Sequence, residues 1–424
     1  MSISTSEPGA AVPQAIPTGS PAQVNLGRRT PDAAICAVLM LAAGLCVWWV
    51  TGLHQHIQTL IDDRADDVWF EGDVGRVYYD MTDRGADHHR TSVHPLFPLV
   101  MIPLVSICVK VLGISKMQAV RGVIAANAAL WIAMFYTLLR LLRCRRLDAV
   151  TFSLVAASSA AAMFWSAIPE TYLLGSLTII AVLILAAVAE LRQIPEWLDV
   201  TIGAASLSIL ISNFMVWLAS LITRHRLQRA IQLACNALVA VVLLWAVEKY
   251  FMRSAQFFMG DRDHIGAPPP ALITGLIVIF LHSMVAPEPW NLPNDTSGFW
   301  PVLSFQHTAL GQIGVMKIVA IASWLCLLCA AAWALARLPH YPRFRAMLAL
   351  SIAGQIALHL VYGNETFLYA LDWTPLFVTA AALATLTRGR WIVLTLAAIF
   401  AVTAGIHNAQ QLQATLALLI SNTT

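Results

Sequence analysis

Apolar runs of about 20 residues recur along this chain from residue 33 onward, and shorter polar segments separate them. A helix of that length can cross the hydrocarbon core of a bilayer, so each run predicts a membrane-associated helix. A β-barrel would alternate apolar and polar residues, whereas segments 37–50 and 178–189 are apolar on every face. The pattern therefore predicts an all-α transmembrane helical bundle of about 10–12 hydrophobic helices, not all of which need to cross. The runs cover residues 33–53, 95–113, 119–142, 148–166, 171–191, 199–222, 228–247, 271–286, 313–336, 346–361, 366–386 and 391–407.

The chain divides into a short tail and one membrane domain. Residues 1–30 are rich in Pro, Ser, Gly and Ala without apolar periodicity, which predicts a disordered tail. Residues 31–424 are expected to form a single transmembrane domain, because no polar stretch is long enough for a separate soluble core. Lys and Arg favour the cytoplasmic side, so Arg28 and Arg29 predict a cytoplasmic tail. The acidic loop at 54–94 then faces the periplasm or cell exterior.

The distribution of arginines modifies the simple count of spans. If 95–113 and 119–142 both crossed the membrane, the basic cluster at 140–146 would lie outside, against the usual bias. Three prolines fall in the first half of 95–113, and we expect this segment to be a juxtamembrane or re-entrant helix on the outer side. By the same reasoning, a break at Ser212-Asn213 would divide 199–222 into two half-helices and keep the next arginines inside.

The acidic loop is the main compositional anomaly. The chain is 58% hydrophobic and 12% charged, with a mean hydropathy of +0.71, yet nine of its 23 carboxylates lie between Asp62 and Asp87. One interpretation is a solvated loop at the membrane surface. The other is chemistry: carboxylates could act as a general base or hold a divalent metal beside a phosphate, and aromatics could stack on sugar rings. Solubility alone does not require Trp69, Phe70, Tyr78 and Tyr79.

Further candidate residues lie on the same predicted side, each with two open interpretations. Glu170 and Glu365 could line a site or cap helices. His94 could contact a phosphate or metal, or simply precede a helix that begins with proline. Lys249 and Arg253, with Arg262, could neutralise a lipid phosphate or anchor the chain at the interface. The net charge of +3 gives no sign of nucleic-acid binding, and none of the seven cysteines lies in the acidic loop.

Gly72-Asp73 is followed by Tyr78-Tyr79, and the segment Arg90-x-x-x-His94-Pro95-Leu96-x-Pro98-Leu99 then enters the membrane. This arrangement resembles the polyprenyl-phosphate-sugar-dependent GT-C glycosyltransferases. Within them it is most similar to a bacterial branch that resembles the lipopolysaccharide sugar transferases of rhizobia and the dolichyl-phosphate-mannose protein mannosyltransferases. Trp165 to Tyr172 and Gly363 to Tyr369 resemble two further junctions of these proteins.

The resemblance implies a GT-C-like fold in the bacterial inner membrane with the active site facing the periplasm or exterior. The partners would be a polyprenyl-phosphate-linked sugar and a glycan, lipid or protein acceptor. No cofactor is required by it, although a divalent metal, Mg²⁺ or Mn²⁺, could take part. Asp73 matches the catalytic carboxylate, with Asp80 and Asp83 as alternatives. The residues expected to contact substrate are Trp69, Tyr78, Tyr79, Arg90, His94, Glu170, Lys249, Arg253 and Glu365.

Two other functional classes remain open. A transporter or flippase for a lipid-linked glycan would use the same cavity without bond chemistry and would show broken helices at the membrane midplane. An assembly scaffold for envelope polysaccharide machinery would leave the acidic loop exposed and lining no pocket. An enzyme of the GT-C kind would place Asp73 and His94 at the mouth of a cavity open to lipid.

Overall fold

The computed structural model describes residues 30–53, 56–61, 67–258, 272–292, 301–306, 308, 314–362 and 365–423. Residues 1–29 of the predicted tail therefore lie outside the described residues, as do Arg262 and its neighbours at 261–264, whereas Thr30 is the first residue of a helix. In chain order, the first eight α-helices are α1 (Thr30–Leu53), α2 (His56–Leu60), α3 (Val74–Thr82), α4 (Phe97–Leu112), α5 (Lys116–Leu141), α6 (Arg146–Ala157), α7 (Ala160–Trp165) and α8 (Tyr172–Ala189). The remaining α-helices among the described residues are α9 (Glu196–Ile209), α10 (Phe214–Arg224), α11 (Leu227–Phe251), α12 (Leu272–Ile277), α13 (Val315–Arg337), α14 (Pro342–His359), α15 (Ala370–Leu383) and α16 (Arg390–Thr423).

The all-α prediction is confirmed, and the chain is a membrane-spanning protein. Among the described residues, seven helices are long and apolar enough to cross a bilayer. Two short strands, β1 (Trp290–Leu292) and β2 (Val302–Ser304), form an antiparallel pair that the sequence did not predict. The seven segments are Pro31–Gly52, Lys116–Leu141, Tyr172–Ala189, Leu227–Phe251, Val315–Arg337, Thr366–Leu386 and Arg390–Ser421.

An ion pair and a hydrogen bond fix the relative direction of α1 and α5. Asp32, in the first turn of α1, accepts hydrogen bonds from Arg140 near the end of α5, at 2.9 Å between Oδ1 and Nε. Arg121, near the start of α5, donates to Thr51 in the last turn of α1 at 3.3 Å. The two helices are therefore antiparallel. We call the two ends of the bundle the Asp32 end and the Asp73 end, after a residue at each.

Helix α4 remains at the Asp73 end. Since α1 finishes there and the antiparallel α5 begins there, the chain that contains α4 makes no net crossing. Glu248, in the last turn of α11, holds the start of α4: its carboxylate accepts hydrogen bonds from the backbone N–H groups of Leu96 and Leu99, each at 3.3 Å. A carboxylate at a helix N-terminus satisfies unpaired N–H groups and interacts favourably with the helix dipole. The arrangement agrees with the predicted juxtamembrane helix.

Helices α9 and α10 form a hairpin that begins and ends at the same side. A 3-10 turn at Ile211–Asn213 separates them, at the predicted break. Arg224 at the end of α10 forms an ion pair with Asp199 in the first turn of α9, and both side chains are buried. The hairpin therefore enters the bundle from the Asp32 end and turns near the Asp73 end, where His94 contacts Ile209. The predicted pair of half-helices is present.

Candidate functional site

Residues 67–72 of the acidic loop fold into the protein instead of lying in solvent, while residues 62–66 lie outside the described residues. Phe70 is fully buried, and its ring lies 4.5 Å from Phe305 and 5.2 Å from Phe367, measured between ring centroids. Trp69 is fully buried beside it. The solvated-loop interpretation is therefore wrong for residues 67–72. Stacking of Trp69 against a sugar is also excluded in this conformation, because no face of its ring is exposed.

The loop achieves this burial with unusual backbone geometry. Asp67, Phe70 and Glu71 have φ values of 62°, 52° and 58°. Residues other than glycine in this left-handed region cost about 1–2 kcal/mol each. Gly72 follows with its N–H donating to the Trp69 carbonyl at 2.8 Å, and a Cβ on it would meet that same oxygen at 2.8 Å. This tight turn positions the next residue, Asp73, at the start of α3.

Asp73 occupies the N-cap position of α3, but its carboxylate does not cap the helix. Instead, Oδ2 forms ion pairs with Arg76, one turn along α3, and with Arg90, at 3.3 Å. The Asp73 backbone N–H donates to Oε1 of Glu170 at 3.2 Å. Aspartate at this position normally accepts hydrogen bonds from the helix N–H groups, so its orientation toward two arginines indicates another role. We call Asp73, Arg76, Arg90 and Glu170 the Asp73 cluster.

Burial controls the charges around the Asp73 cluster. Burial and the positive charge of Arg90 lower the pKa of Arg76 to about 10, so it remains protonated near neutral pH. Burial raises the pKa of Glu170, although Thr171 N–H and the two arginines oppose the rise. The cluster thus presents two cationic side chains around one aspartate. This is a charge distribution that suits a phosphate, for which arginine is a geometrically matched partner.

His94 lies beside the cluster, and neither His94 nor Asp73 lines any of the three cavities that the described residues form around α1, α8 and α14, in contrast to the expectation for an enzyme of the GT-C kind. His94 is buried, and its Nδ1–H donates to the carbonyl of Ile209, where α9 ends, at 3.1 Å. Burial and the charges of Arg90 and Arg76 lower the pKa of His94 to about 3, so the ring is neutral. Its described contacts are those of a residue that joins the segment before α4 to the break between α9 and α10.

Asp80 and Asp83 lie apart from the Asp73 cluster. Asp80 is buried and its Oδ1 lies 2.5 Å from Nδ1 of His88, which is fully buried. Burial lowers the pKa of His88, but the hydrogen bond and charge of Asp80 outweigh it and raise the pKa above its ordinary value. Asp83 is exposed and accepts a hydrogen bond from Gly85 N–H at 2.8 Å. These contacts are structural, so the geometry favours Asp73 among the three acids.

Other expected contact residues are spread along the surface of the Asp73 end. Tyr79 is 42% exposed, and its ring packs against the half-buried Tyr78. Lys249 donates to the carbonyls of Arg253 and Ala255, at 2.6 and 2.8 Å, and so closes the turn after α11. Arg253 is exposed. The structure does not bring these four residues into the Asp73 cluster.

Glu71 and Glu365 form a pair of carboxyl groups next to the cluster. Glu365 is buried, accepts hydrogen bonds from Ser304 Oγ and from Phe367 N–H, and thereby caps the short helix at Thr366–Tyr369. Its own N–H donates to Oε2 of Glu71 at 3.2 Å. Burial and the charge of Glu71 raise the pKa of Glu365 to about 8, and burial with the charge of Asp67 raises the pKa of Glu71 to about 7.

This carboxyl pair predicts that stability falls as pH rises from mildly acidic to mildly alkaline values. From an ordinary value of 4.5 up to about 8, the folded protein holds more protons on these groups than the unfolded chain does. The free energy of unfolding must therefore fall as pH rises through that window. We expect the thermal midpoint in detergent to drop between about pH 5 and about pH 9, and to drop less in Glu365→Gln. Equal slopes in the two proteins would contradict the assignment.

A second group of polar side chains lies among the helices beneath the Asp73 cluster. Asp372, in the first turn of α15, is fully buried, and its Oδ2 lies 4.0 Å from Nε2 of His359 at the end of α14. That nitrogen is also 2.9 Å from Oε1 of Gln355. Among the described residues, neither oxygen of Asp372 nor the side-chain amide of Asn213 has a hydrogen bond of standard geometry, although the Asn213 amide lies close enough to Asp372 to interact with it. Buried polar atoms without partners are uncommon and mark this group as a candidate functional feature.

Some of the residues that were not predicted as site residues do have partial signals in the sequence. Arg76 lies three residues after Asp73, the spacing that places two side chains on one helical face. His359 and Asp372 are ionisable residues within or next to apolar runs, which is a recognised indication of function. Glu71 had no local signal, because its partner is 294 residues away in the chain.

The sequence analysis left open that a divalent metal takes part, but the described residues do not form a site that fits one. Among them, no three His, Cys, Asp or Glu side chains converge in a way that could hold a metal ion. Two arginines already occupy Oδ2 of Asp73.

Comparison with known proteins adds no family. No protein-family model matches the chain, and no curated protein matches it. The geometry of the Asp73 cluster and the resemblance of the short segments around it are therefore the basis for a functional proposal.

Proposed function

We propose that this protein is an integral membrane glycosyltransferase of the GT-C kind, which moves a monosaccharide from a polyprenyl-phosphate carrier to an acceptor outside the cytoplasm. The observation that carries the proposal is the placement of Asp73 between Arg76 and Arg90 at one end of a transmembrane bundle. A carboxylate can accept the proton of an attacking hydroxyl, and two adjacent guanidinium groups can stabilise an anionic leaving group, so one site can do both.

The proposed reaction divides these roles among the cluster. Both arginines use Oδ2 of Asp73, and among the described residues no group hydrogen-bonds to Oδ1. Oδ1 accepts the proton of the acceptor hydroxyl while that oxygen bonds to the anomeric carbon from the face opposite the phosphate. The bond from that carbon to the phosphate oxygen breaks, and the lipid phosphate leaves with the electron pair. Arg76 and Arg90 stabilise its charge, and the anomeric configuration inverts.

The distribution of arginines supports an extracytoplasmic site in a bacterial inner membrane. Arg140 and Arg146 bind Asp32, and Arg390 binds Asp148 at the start of α6. The Asp32 end thus carries basic residues that favour the cytoplasm, which supports a position of the Asp73 cluster on the other side of the membrane. The burial of residues 67–72 counts against the scaffold interpretation, which requires an exposed loop.

A transporter or flippase for a lipid-linked glycan is the second candidate, and one observation favours it. The buried group of Asp372, His359 and Asn213 adjoins the break between α9 and α10. Broken helices with buried ionisable residues are common at the substrate and ion sites of transporters. The enzyme is the better-supported proposal because a transporter has no requirement for a proton acceptor such as Asp73 between two arginines.

The proposal is tested with the purified full-length protein in proteoliposomes. A panel of polyprenyl-phosphate sugars is offered with a mixed set of glycan, lipid and peptide acceptors, with and without divalent metal. Transfer of sugar to an acceptor from at least one donor is the expected result. If no donor supports transfer while the same donors cross the bilayer faster than in protein-free vesicles, the transporter replaces the enzyme.

A further inference from the structure

Asp372 is a carboxyl group inside the helical bundle that lacks a close partner of opposite charge. It lies in the first turn of α15, within the membrane-spanning segment Thr366–Leu386, and its side chain is fully buried. Its Oδ2 is 4.0 Å from Nε2 of His359, and neither of its oxygens has a hydrogen bond of standard geometry. An ionised carboxylate that has lost its water without gaining such partners is strongly unfavourable. The site therefore requires a neutralising ligand.

The charged residues of the helices packed on α15 do not neutralise it. At the Asp73 end, Lys317 of α13 forms an ion pair with the preceding loop, Arg121 of α5 donates to α1, and Lys116 of α5 is exposed. The charged residues of α6 and α14 lie in the first turns of these helices, at the Asp32 end, and α7 and α8 contain no Lys, Arg, Asp or Glu. In the part of the chain that the structure describes, the titratable groups that face Asp372 are therefore His359, Tyr172 and Tyr369.

His359 is neutral in this arrangement. Its Nε2 lies 2.9 Å from Oε1 of Gln355, one turn earlier in α14, so Nε2–H donates to that oxygen. Its Nδ1 is buried and has no partner among the described residues. A proton on Nδ1 would bury a charged donor without an acceptor, and the 4.0 Å between Nε2 and Asp372 is too long for a hydrogen bond that would offset this cost. The neutralising ligand therefore belongs on Asp372.

The groups around Asp372 fit a proton better than a metal cation. Hard cations bind several oxygen ligands at once. Next to Asp372, the described residues offer the nitrogen of His359 and the side-chain amide of Asn213, which is fully buried and close enough to interact. A protonated carboxyl needs one acceptor for its O–H, and the amide oxygen of Asn213 has no other hydrogen bond. A single proton on Asp372 therefore satisfies both buried groups.

Asn213 belongs to the break between α9 and α10, and this break also holds the segment that carries Arg90. Ile211 N–H donates to the carbonyl of Val93 at 3.4 Å, and the His94 ring donates to the last residue of α9 at 3.1 Å. The carbonyl of Arg90 in turn accepts hydrogen bonds from the N–H groups of Val93 and His94, at 2.9 and 2.8 Å. The break therefore connects the buried carboxyl group to the Asp73 cluster.

Loss of the proton from Asp372 would disturb this break. A protonated carboxyl donates to the amide oxygen of Asn213, whereas a carboxylate needs a donor, so the hydrogen bond between them would have to reverse. A carboxylate also recruits water, and Asp372 lines none of the three cavities around α1, α8 and α14. Water reaches it only if the packing opens, and the break is the neighbouring element whose helical hydrogen bonds are interrupted.

We propose that Asp372 is a buried proton-binding site, with Asn213 as the acceptor of its O–H, and that the bound proton keeps the break between α9 and α10 closed. The inference goes beyond the proposed function and depends on neither sugar transfer nor transport. In either class of protein, the segment that carries Arg90 would respond to the protonation of Asp372.

The bound proton is measured by infrared spectroscopy of the full-length protein in nanodiscs at neutral pH. The carbonyl stretch of a protonated carboxyl group is separate from the bands of a carboxylate, and an isotopic carbon label in the aspartate side chains shifts it for aspartate but not for Glu71 or Glu365. We expect a label-sensitive band of a protonated aspartate that is absent from Asp372→Asn. The label identifies an aspartate in the natural protein, so its absence there would overturn the proposal whether or not the variant folds.

The effect on the break is measured by hydrogen exchange of the backbone N–H of Ile211. Its exchange rate is divided by the rate in Asp372→Asn, which stays neutral at every pH, so that the intrinsic pH dependence of exchange cancels. From neutral to alkaline pH we expect this ratio to rise about tenfold, because exchange reports local opening. A ratio that stays constant would overturn the proposal.

Glu365→Gln is the matched control for that measurement. The pKa of Glu365, about 8, lies in the same pH range, but its described hydrogen bonds are with Ser304, Phe367 and Glu71 and not with the break. The exchange ratio in this variant should therefore rise as it does in the natural protein. Loss of the rise would assign the effect to Glu365 and overturn the role of Asp372. A ratio that changes with Na⁺ concentration at constant pH would assign the site to a metal cation and would also overturn the proposal.

Discussion

Replacing Asp73 with asparagine is expected to lower the rate of sugar transfer by about 10²–10⁴-fold, the usual contribution of a general base. Asparagine has the same shape but cannot accept the proton of the acceptor hydroxyl. The substitution also leaves Arg76 and Arg90 without the carboxylate that they share. The measurement is the turnover of the purified variant with the donor that the panel identifies. The rate should fall with little change in the KM for the donor, whose phosphate the arginines still bind.

The matched control is Asp87→Asn, which removes another carboxylate of the same loop. Asp87 is exposed and its described ion pair is with the exposed His89, so we expect near-normal turnover. Comparing the thermal midpoints of both variants with that of the natural protein separates lost chemistry from lost folding. Turnover of Asp73→Asn within about threefold of the natural protein would remove Asp73 from the mechanism, because a general base contributes far more than that.

Replacing Phe70 with alanine is expected to destabilise the folded state by about 3–5 kcal/mol, the usual cost of deleting a fully buried phenyl ring. Phe70 contacts rings from three separate parts of the chain, including Phe164, Phe305 and Phe367. Its removal leaves a cavity among groups that cannot collapse around it, since each belongs to a different element. The measurement is the midpoint of denaturant-induced unfolding in detergent, followed by tryptophan fluorescence.

Tyr79→Ala is the matched control for that prediction. Its ring is 42% exposed and contacts Tyr78, so its loss should change the midpoint by far less. Because Phe70 also fixes the turn that positions Asp73, the Phe70→Ala variant should lose transfer activity below its own unfolding transition. Equal midpoints for the two variants would show that the aromatic packing of the loop contributes little to stability.

Hydropathy and charge bias predicted much of the architecture, because both act within one segment. The long apolar runs gave α1, α5, α8 and α11, and the arginines at 140–146 indicated that α4 does not cross. Such patterns do not predict which residues from other parts of the chain contact these helices. The sequence contains no signal that Glu248 would cap α4, since the two lie about 150 residues apart in the chain.

For the candidate site, sequence reasoning found residue types more readily than roles. It ranked Asp73 first among the acids and selected Arg90 and Glu170, which the structure brings into contact with it. The sequence also predicted that Trp69 contacts the substrate, but the ring of Trp69 is buried in the core. An aromatic side chain in a polar loop has the same composition whether it packs inward or stacks on a ligand, so only the tertiary fold distinguishes the two.

The long sequence separation between the loop and its packing partners has a consequence for biogenesis. Glu71 contacts Glu365, which lies 294 residues later in the chain. Phe70 packs against Phe305 and Phe367, which are also synthesised late, so its packing cannot form until they are present. Closing so large a loop is slow and entropically costly, and it must follow synthesis of most of the chain. The turn that presents Asp73 is therefore among the first segments translated and among the last to reach its final structure. A chain that ends before residue 365 would lack the contacts that hold that turn in place.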